Sequence, residues 1–300
     1  CLRCNYCYHI ATNRRNQGCS VNPTIIRDVP KELVGCKNKK KVVVVGGGPA
    51  GIIAALTADK VGHDVTLIEK ENEVGGLLRF ISKEHFKDEY KRYLSYLDMQ
   101  LKKSNVKLML NTSADKDLIS SLNPDRLIIA IGGKLLNPKI EGVENALNCL
   151  EAIEHPEKIG DKVTIIGGGV VGLELALGLS LVENKKVTVI EATNTIVGTA
   201  NELYKVAFKQ KIDEAKDNLT ILKNSKCVSI GKDNITIEND GETKNISTDT
   251  TIVAIGIRAK TDEAFNLYNI VPDTVMAGDC VASRVILEAT FEGYSAGNKE

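Results

Sequence analysis

Two glycine-rich turns and one run of cysteines hold most of the chemistry this sequence can offer. The first turn, Gly46-x-Gly48-Pro49-Ala50-Gly51, is entered from the apolar run Val42-Val-Val-Val45 and followed by Val65-Thr-Leu-Ile-Glu69. The second, Gly167-x-Gly169-Val170-Val171-Gly172, is entered from Val163-Thr-Ile-Ile166 and followed by Val187-Thr-Val-Ile-Glu191. Each is a strand, a G-x-G-x-x-G turn, a helix of small residues, and a second strand ending in an acid. The first glycine permits the turn, the second lets backbone approach a pyrophosphate, and the third lets helix and strand pack closely. The helix N-terminus then supplies free N–H groups and a favourable dipole to the anion. The terminal acid accepts hydrogen bonds from ribose hydroxyls. Two such units predict two bound dinucleotides, the arrangement of an enzyme that passes hydride from a nicotinamide to a flavin.

Cys1, Cys4, Cys7 and Cys19 stand at C-x2-C-x2-C-x11-C. Three thiols at ferredoxin-like spacing, with a fourth from a short loop, suit a [4Fe–4S] cluster. Zinc more often uses paired C-x2-C knuckles, and Cys19 has no nearby cysteine partner. Zinc and unliganded thiols are the alternatives. His9 is a substitute ligand or an ordinary loop histidine. Cys36, Cys149, Cys227 and Cys280 read as small packing residues.

Composition narrows the classes. Lys plus Arg and Asp plus Glu both number 39 among 300 residues, so no global field draws the chain to nucleic acid or an anionic membrane. The longest apolar stretch, Gly167 to Val182, is interrupted by glycines and Glu174, and predicts no spanning helix. No secretory signal opens the chain, and crowded cysteines suit a reducing, cytoplasmic compartment. The chain begins at Cys1 without a methionine and is read as a piece, or a processed form, of something longer.

The elements that must position these residues follow an α/β pattern. Residues 1–37 read as a loop-rich cysteine segment. Phe86 to Lys102 predicts an amphipathic helix with Tyr90, Tyr93, Leu94, Leu97 and Leu101 on its packed face. Strands are predicted at Val106–Leu110 and Leu127–Ile131, and residues 138–155 read as a connector. Val228–Ile230 and Ile235–Glu238 read as a hairpin, with a further turn at Asp240-Gly241. Thr251–Ile255, closing at Gly256, repeats the earlier run that closes at Gly132. The tail holds Val275-Met-Ala-Gly278-Asp279 and a helix from about Ser283. The predicted class is α/β with two Rossmann-like dinucleotide-binding domains and an N-terminal iron–sulfur segment.

Taken in order, Cys1-x-x-Cys4-Asn-x-Cys7, Cys19-x-x-Asn22-Pro23, the first fingerprint, Gly75-Gly76-Leu77, Ala130-Ile-Gly132, the second fingerprint and Gly278-Asp279-Cys280 resemble the C-terminal half of the iron–sulfur flavoenzymes related to old yellow enzyme. That family includes 2,4-dienoyl-CoA reductase, 2-enoate reductase and trimethylamine dehydrogenase. The resemblance implies an NAD domain inserted in an FAD domain: residues 1–37 for the cluster, 38–133 with 259–300 for FAD, and 134–258 for NAD(H). It places FAD at Gly46, Gly48, Pro49, Ala50, Gly51, Glu69, Gly75, Gly76, Ala130, Gly132, Gly278 and Asp279. It places NADH at Gly167, Gly169, Val170, Gly172, Glu191 and Gly256. Ile131 stands where relatives usually have threonine. Glu174 either approaches the nicotinamide or is an ordinary acid near a helix N-terminus. Glu191 suits a free 2′-hydroxyl and repels a 2′-phosphate, so NADH is expected over NADPH.

The resemblance implies hydride transfer from NADH to FAD, then single electrons through the cluster to an FMN-bearing, enoate-reducing barrel that this chain lacks. No catalytic acid or base is assigned. The barrel lies upstream in the same chain or in a partner subunit. The other reading is a stand-alone electron-transfer subunit, similar to the small subunit of glutamate synthase. A trimethylamine-dehydrogenase-like protein ranks last, because its second site is not kept for nicotinamide, whereas Gly167, Gly169, Gly172 and Glu191 are intact here. Disulfide reductases of this architecture carry a reactive cysteine pair; here Gly75-Gly76 is followed by Leu77-Leu78-Arg79, and Cys149 and Cys227 are solitary.

Overall fold

The computed structural model describes residues 1–8, 18–25 and 32–299; His9 lies outside them. The chain divides into two compact units. One comprises Cys1–Ser82, Glu89–Lys134 and Arg258–Glu300, and the other Lys83–Asp88 and Leu135–Ile257. Lys83–Asp88, inside the 38–133 stretch expected to belong to one domain, thus clusters with the second unit.

The first unit is built on a five-stranded sheet in the order Thr274–Met276, Arg126–Ile129, Lys41–Val45, Asp64–Ile68, Lys107–Met109. All four pairings are parallel. Val42, Val43, Val44 and Val45 are all buried, which explains the unbroken apolar run: a parallel strand covered on both faces has no polar side. The helix Pro49–Val61 covers one face, starting with proline in its first turn and stopping at Gly62 in the left-handed region. The helix Ile286–Gly297 lies against it. Asp88–Lys103 forms the amphipathic helix expected there, with Tyr93, Leu97 and Leu101 buried. Leu2 is 4% exposed and belongs to this core, with Cys4 and Val21 packed on it, so the cysteine segment is anchored to the sheet.

The second unit repeats the plan. Its parallel sheet runs Leu147–Asn148, Thr250–Val253, Lys162–Ile166, Lys186–Ile190, Leu219–Leu222. The helix Val170–Leu177 follows the fingerprint and passes into a single wide turn at Gly178–Val182. The hairpin is a three-stranded antiparallel meander, Ser225–Ile230, Asn234–Asn239 and Glu242–Ser247. The presumed connector contains the helix Cys149–Glu154, closed by an Asn148–Glu151 capping box. Among the described residues, no helix is long and apolar enough to cross a membrane.

Candidate functional site

In each sheet the fingerprint leaves a central strand whose neighbours arrive from opposite directions in the topology. That is the switch point at which doubly wound sheets form a ligand crevice, at the carboxyl ends of their strands. In the first unit Gly46 has φ +103°, and a Cβ there would strike the Ala130 carbonyl. A Cβ on Gly51 would strike the carbonyl of Gly46. Gly167 and Gly172 repeat both collisions against Ala254 and Gly167. Gly48 and Gly169 cap their helices without a side-chain bond, leaving the first N–H groups open to an anion.

The strand-end acids are held by their own turns. Gly47 N–H donates to Glu69 Oε2 at 2.6 Å, and Glu71 N–H donates to Oε1 at 2.9 Å. Gly168 N–H donates to Glu191 Oε2 at 2.8 Å, while Thr193 donates to Oε1 from both N–H and hydroxyl at 2.8 Å. Burial alone would raise the Glu191 carboxyl, but these bonds outweigh it and hold its pKa below the usual carboxylate range. A fixed, ionised acceptor is what a ribose diol needs.

Around the first crevice the structure gathers most of the residues the sequence singled out. Gly75 N–H donates to the Gly47 carbonyl at 2.7 Å, and a Cβ on Gly76 would stand 3.1 Å from Gly48 Cα. Gly278 lies beside Ala50, and its N–H donates to Glu292 Oε2 at 2.7 Å. Asp279 accepts from Arg284 N–H at 3.2 Å, and its burial lifts its pKa above the ordinary value. Gly132 has open space about it. In the second unit, Val170 begins the helix, and Gly256 bonds through its carbonyl to Leu136 N–H, two residues beyond Ala254.

Lys260, Lys87 and Tyr204 carried no sequence signal, whereas Glu174 did. Lys260 reaches the Ile131 carbonyl at 3.5 Å; burial lowers its pKa, and Lys70 and Lys134 act in the same direction. In the second unit Glu174 is gripped by Lys87 and by the Tyr204 hydroxyl. Lys87 also donates to Tyr204 at 3.0 Å.

The cysteines are free thiols. Among the described residues, no group of three or more His, Cys, Asp or Glu is drawn together for a metal ion. Arg3 N–H donates to Cys1 Sγ at 3.3 Å, and Cys4 Sγ shares a 3.2 Å hydrogen bond with Ser20 Oγ. The second contact brings the C-x2-C run beside the residue that follows Cys19. Cys149, Cys227 and Cys280 are buried packing residues, as expected; burial pushes the Cys149 and Cys227 thiols up to about 11.

Comparison with known proteins agrees with this geometry. Residues 40–271 match the family model described as pyridine nucleotide-disulphide oxidoreductase. The chain is 32% identical over 296 residues to cinnamate reductase of Clostridium sporogenes, covering 98% of this chain and 44% of that protein. It is 31% identical over 302 residues to bilirubin reductase of Mediterraneibacter gnavus, covering 99% and 47%. A solved 2-naphthoyl-CoA reductase, in complex with 2-naphthoyl-CoA, superposes with a TM-score of 0.92 at 32% identity, over 100% of this chain and 46% of that one. The chain spans about half the length of the curated relatives it matches.

Proposed function

The chain belongs to the pyridine nucleotide-disulphide oxidoreductase family, and from that premise we propose that it is the electron-input half of an enoate-reductase-like flavoenzyme. It is an NADH:flavin oxidoreductase module that binds FAD and NADH. The observation that carries the reading is the duplicated crevice: two uncapped helix N-termini, each beside a strand-end glutamate already fixed by its turn.

FAD, when bound, accepts hydride and releases electrons one at a time. The chain's own residues orient the partners. Gly46, Gly48, Pro49, Ala50 and Gly51 seat the FAD pyrophosphate, and Glu69 takes its adenosine ribose. Gly75, Gly76, Ala130 and Gly132 let the flavin pass close to backbone, and Asp279, next to Gly278, takes a ribityl hydroxyl. Gly167, Gly169, Val170 and Gly172 seat the NADH pyrophosphate, Glu191 takes the ribose, and Gly256 borders the site. Residues 38–133 with 259–300 form the FAD domain, Lys83–Asp88 excepted, and 134–258 the NAD(H) domain.

Cys1, Cys4, Cys7 and Cys19 in the 1–37 segment hold a [4Fe–4S] cluster in this reading. Their donor chemistry and the Cys4–Ser20 contact support it. Eight free thiols suit a reducing compartment such as the cytoplasm. The remaining half of the enzyme supplies the final acceptor site, which the lengths of the relatives support. Disulfide reduction is a poor fit, because Cys149 and Cys227 are buried and solitary with raised pKa values.

Cofactor preference tests the reading. NADH is expected to bleach the flavin about thirty- to hundred-fold faster than NADPH at subsaturating concentration, a discrimination of about 2–3 kcal/mol against a 2′-phosphate facing the Glu191 carboxylate. Glu191→Ala should narrow the ratio and leave FAD content unchanged. Anaerobic stopped-flow reads both; equal rates, or faster NADPH, would overturn the assignment.

A further inference from the structure

The segment Lys83–Asp88 enters the second unit carrying more charge than a connecting loop requires. Each side chain from 83 to 87 except the exposed Phe86 meets a charged or titratable group of that unit. Lys83 pairs with Glu154 at 3.8 Å, and His85 with Glu183 at 3.1 Å while lying over Gly178. Lys87 pairs with Glu174, which Tyr204 also holds; the Lys87 and Glu174 side chains are only 8% and 12% exposed. Phe86 is set at φ +64°, an uncommon conformation for a bulky residue, so the contacts on either side dictate the backbone. Glu84 is the exception to the pairing: its Oε2 is sealed from solvent and has no hydrogen-bond partner.

Charged and titratable groups of three elements act on Glu84. From its own segment comes Lys87, from the fingerprint helix Glu174, and from the helix Cys149–Glu154 the thiol of Cys149. Glu174 thus pushes the Glu84 carboxyl toward its neutral form, and Lys87 pulls it the other way. With Glu84 protonated the set is neutral, the Lys87 charge being balanced by its ion-pair partner Glu174. With Glu84 ionised the set carries a net negative charge, and the Lys87 ammonium is attracted by a second carboxylate besides Glu174. The first state is strongly preferred at neutral pH: burial, then the charge of Glu174, lift Glu84 to about 8 against the pull of Lys87.

Glu174 lies five residues past Gly169 on the helix whose N-terminus seats a pyrophosphate, or about 7.5 Å along its axis. We propose that Glu84 is a positioning residue for the second dinucleotide site: it holds a proton while Lys87 and Tyr204 grip Glu174, and losing that proton to solvent loosens the grip and weakens dinucleotide binding. The inference rests on the reading that the second fingerprint takes NADH. An added negative charge on this cluster opposes the binding of a pyrophosphate dianion at the same helix, and an effect of about five- to tenfold in affinity is expected.

The test is calorimetric titration of the FAD-loaded protein with 1,4,5,6-tetrahydro-NAD, which binds without reducing flavin, from pH 6.5 to 9.5. The wild-type dissociation constant is expected to rise about five- to tenfold across that range. Glu84→Gln, a permanently neutral isostere, should bind equally well throughout and keep its flavin. A parallel loss of affinity in both proteins overturns the proposal. Carbon NMR of glutamate-labelled wild type gives a reading that needs no variant. A carboxyl titrating near pH 8 should shift upward when the analogue binds, because the coupling is reciprocal; a midpoint indifferent to the analogue also overturns it. Absence of binding at every pH sinks the reading of the second fingerprint itself, a result distinct from either.

Discussion

Glu84 and Glu191 show how the same side chain is driven to opposite charge states within one unit. Glu191 has three donors and stays ionised; Glu84 has a sealed, unbonded oxygen beside another carboxylate and stays neutral. The second case has a stability consequence. A carboxyl whose pKa rises on folding, here from 4.5 to about 8, holds its proton more tightly in the folded chain. Its contribution is therefore intact below pH 4.5 and is lost as pH rises toward 8. At pH 7 the cost is on the order of 3 kcal/mol. Thermal unfolding of wild type and Glu84→Gln should coincide near pH 4.5 and separate by pH 8, with the variant the more stable; parallel curves would refute it. Glu191 could be read from sequence because its partners, Gly168 and Thr193, are tied to it by the local geometry of the fingerprint. Lys87 could not, since Glu174 lies 87 residues away and no short pattern encodes the meeting.

Most of the regular elements follow from patterning, and those that do not have physical reasons. The buried parallel strands announce themselves as β-branched runs. Glu242–Ser247 does not: five of its six residues are exposed, as befits the outer strand of a meander, and only Ile246 is partly covered. The Cys149–Glu154 helix had a signal in Asn148-x-x-Glu151, whose capping box closes as such boxes do. The packing of Ile286–Gly297 on Pro49–Val61 was not foreseeable, because it depends on Gly293 meeting the Ala50 carbonyl with no room for a Cβ. Gly293→Ala should therefore push against the pyrophosphate turn and cost about 1–3 kcal/mol. Lowered melting temperature and flavin lost on gel filtration are the expected signs. Gly198→Ala, whose Cβ would make only an ordinary 3.5 Å contact, serves as the control and should stay within about 0.5 kcal/mol.

The chain as a whole joins two crevices to a cysteine segment pinned by Leu2. Anaerobic reconstitution should load about four iron and four sulfide per chain onto Cys1, Cys4, Cys7 and Cys19. Stoichiometric zinc in their place, measured by elemental analysis, would retire the cluster. The sheet order of the first unit has a consequence for how this molecule is made. Its Thr274–Met276 strand pairs with Arg126–Ile129 in register at Thr274–Leu127, across the whole of the inserted stretch Leu135–Ile257. A ribosome therefore delivers every strand of the inserted sheet before it delivers the outermost strand of the host. The interrupted domain spends much of synthesis with an open edge, waiting for its own ending, while the later-started one is already complete.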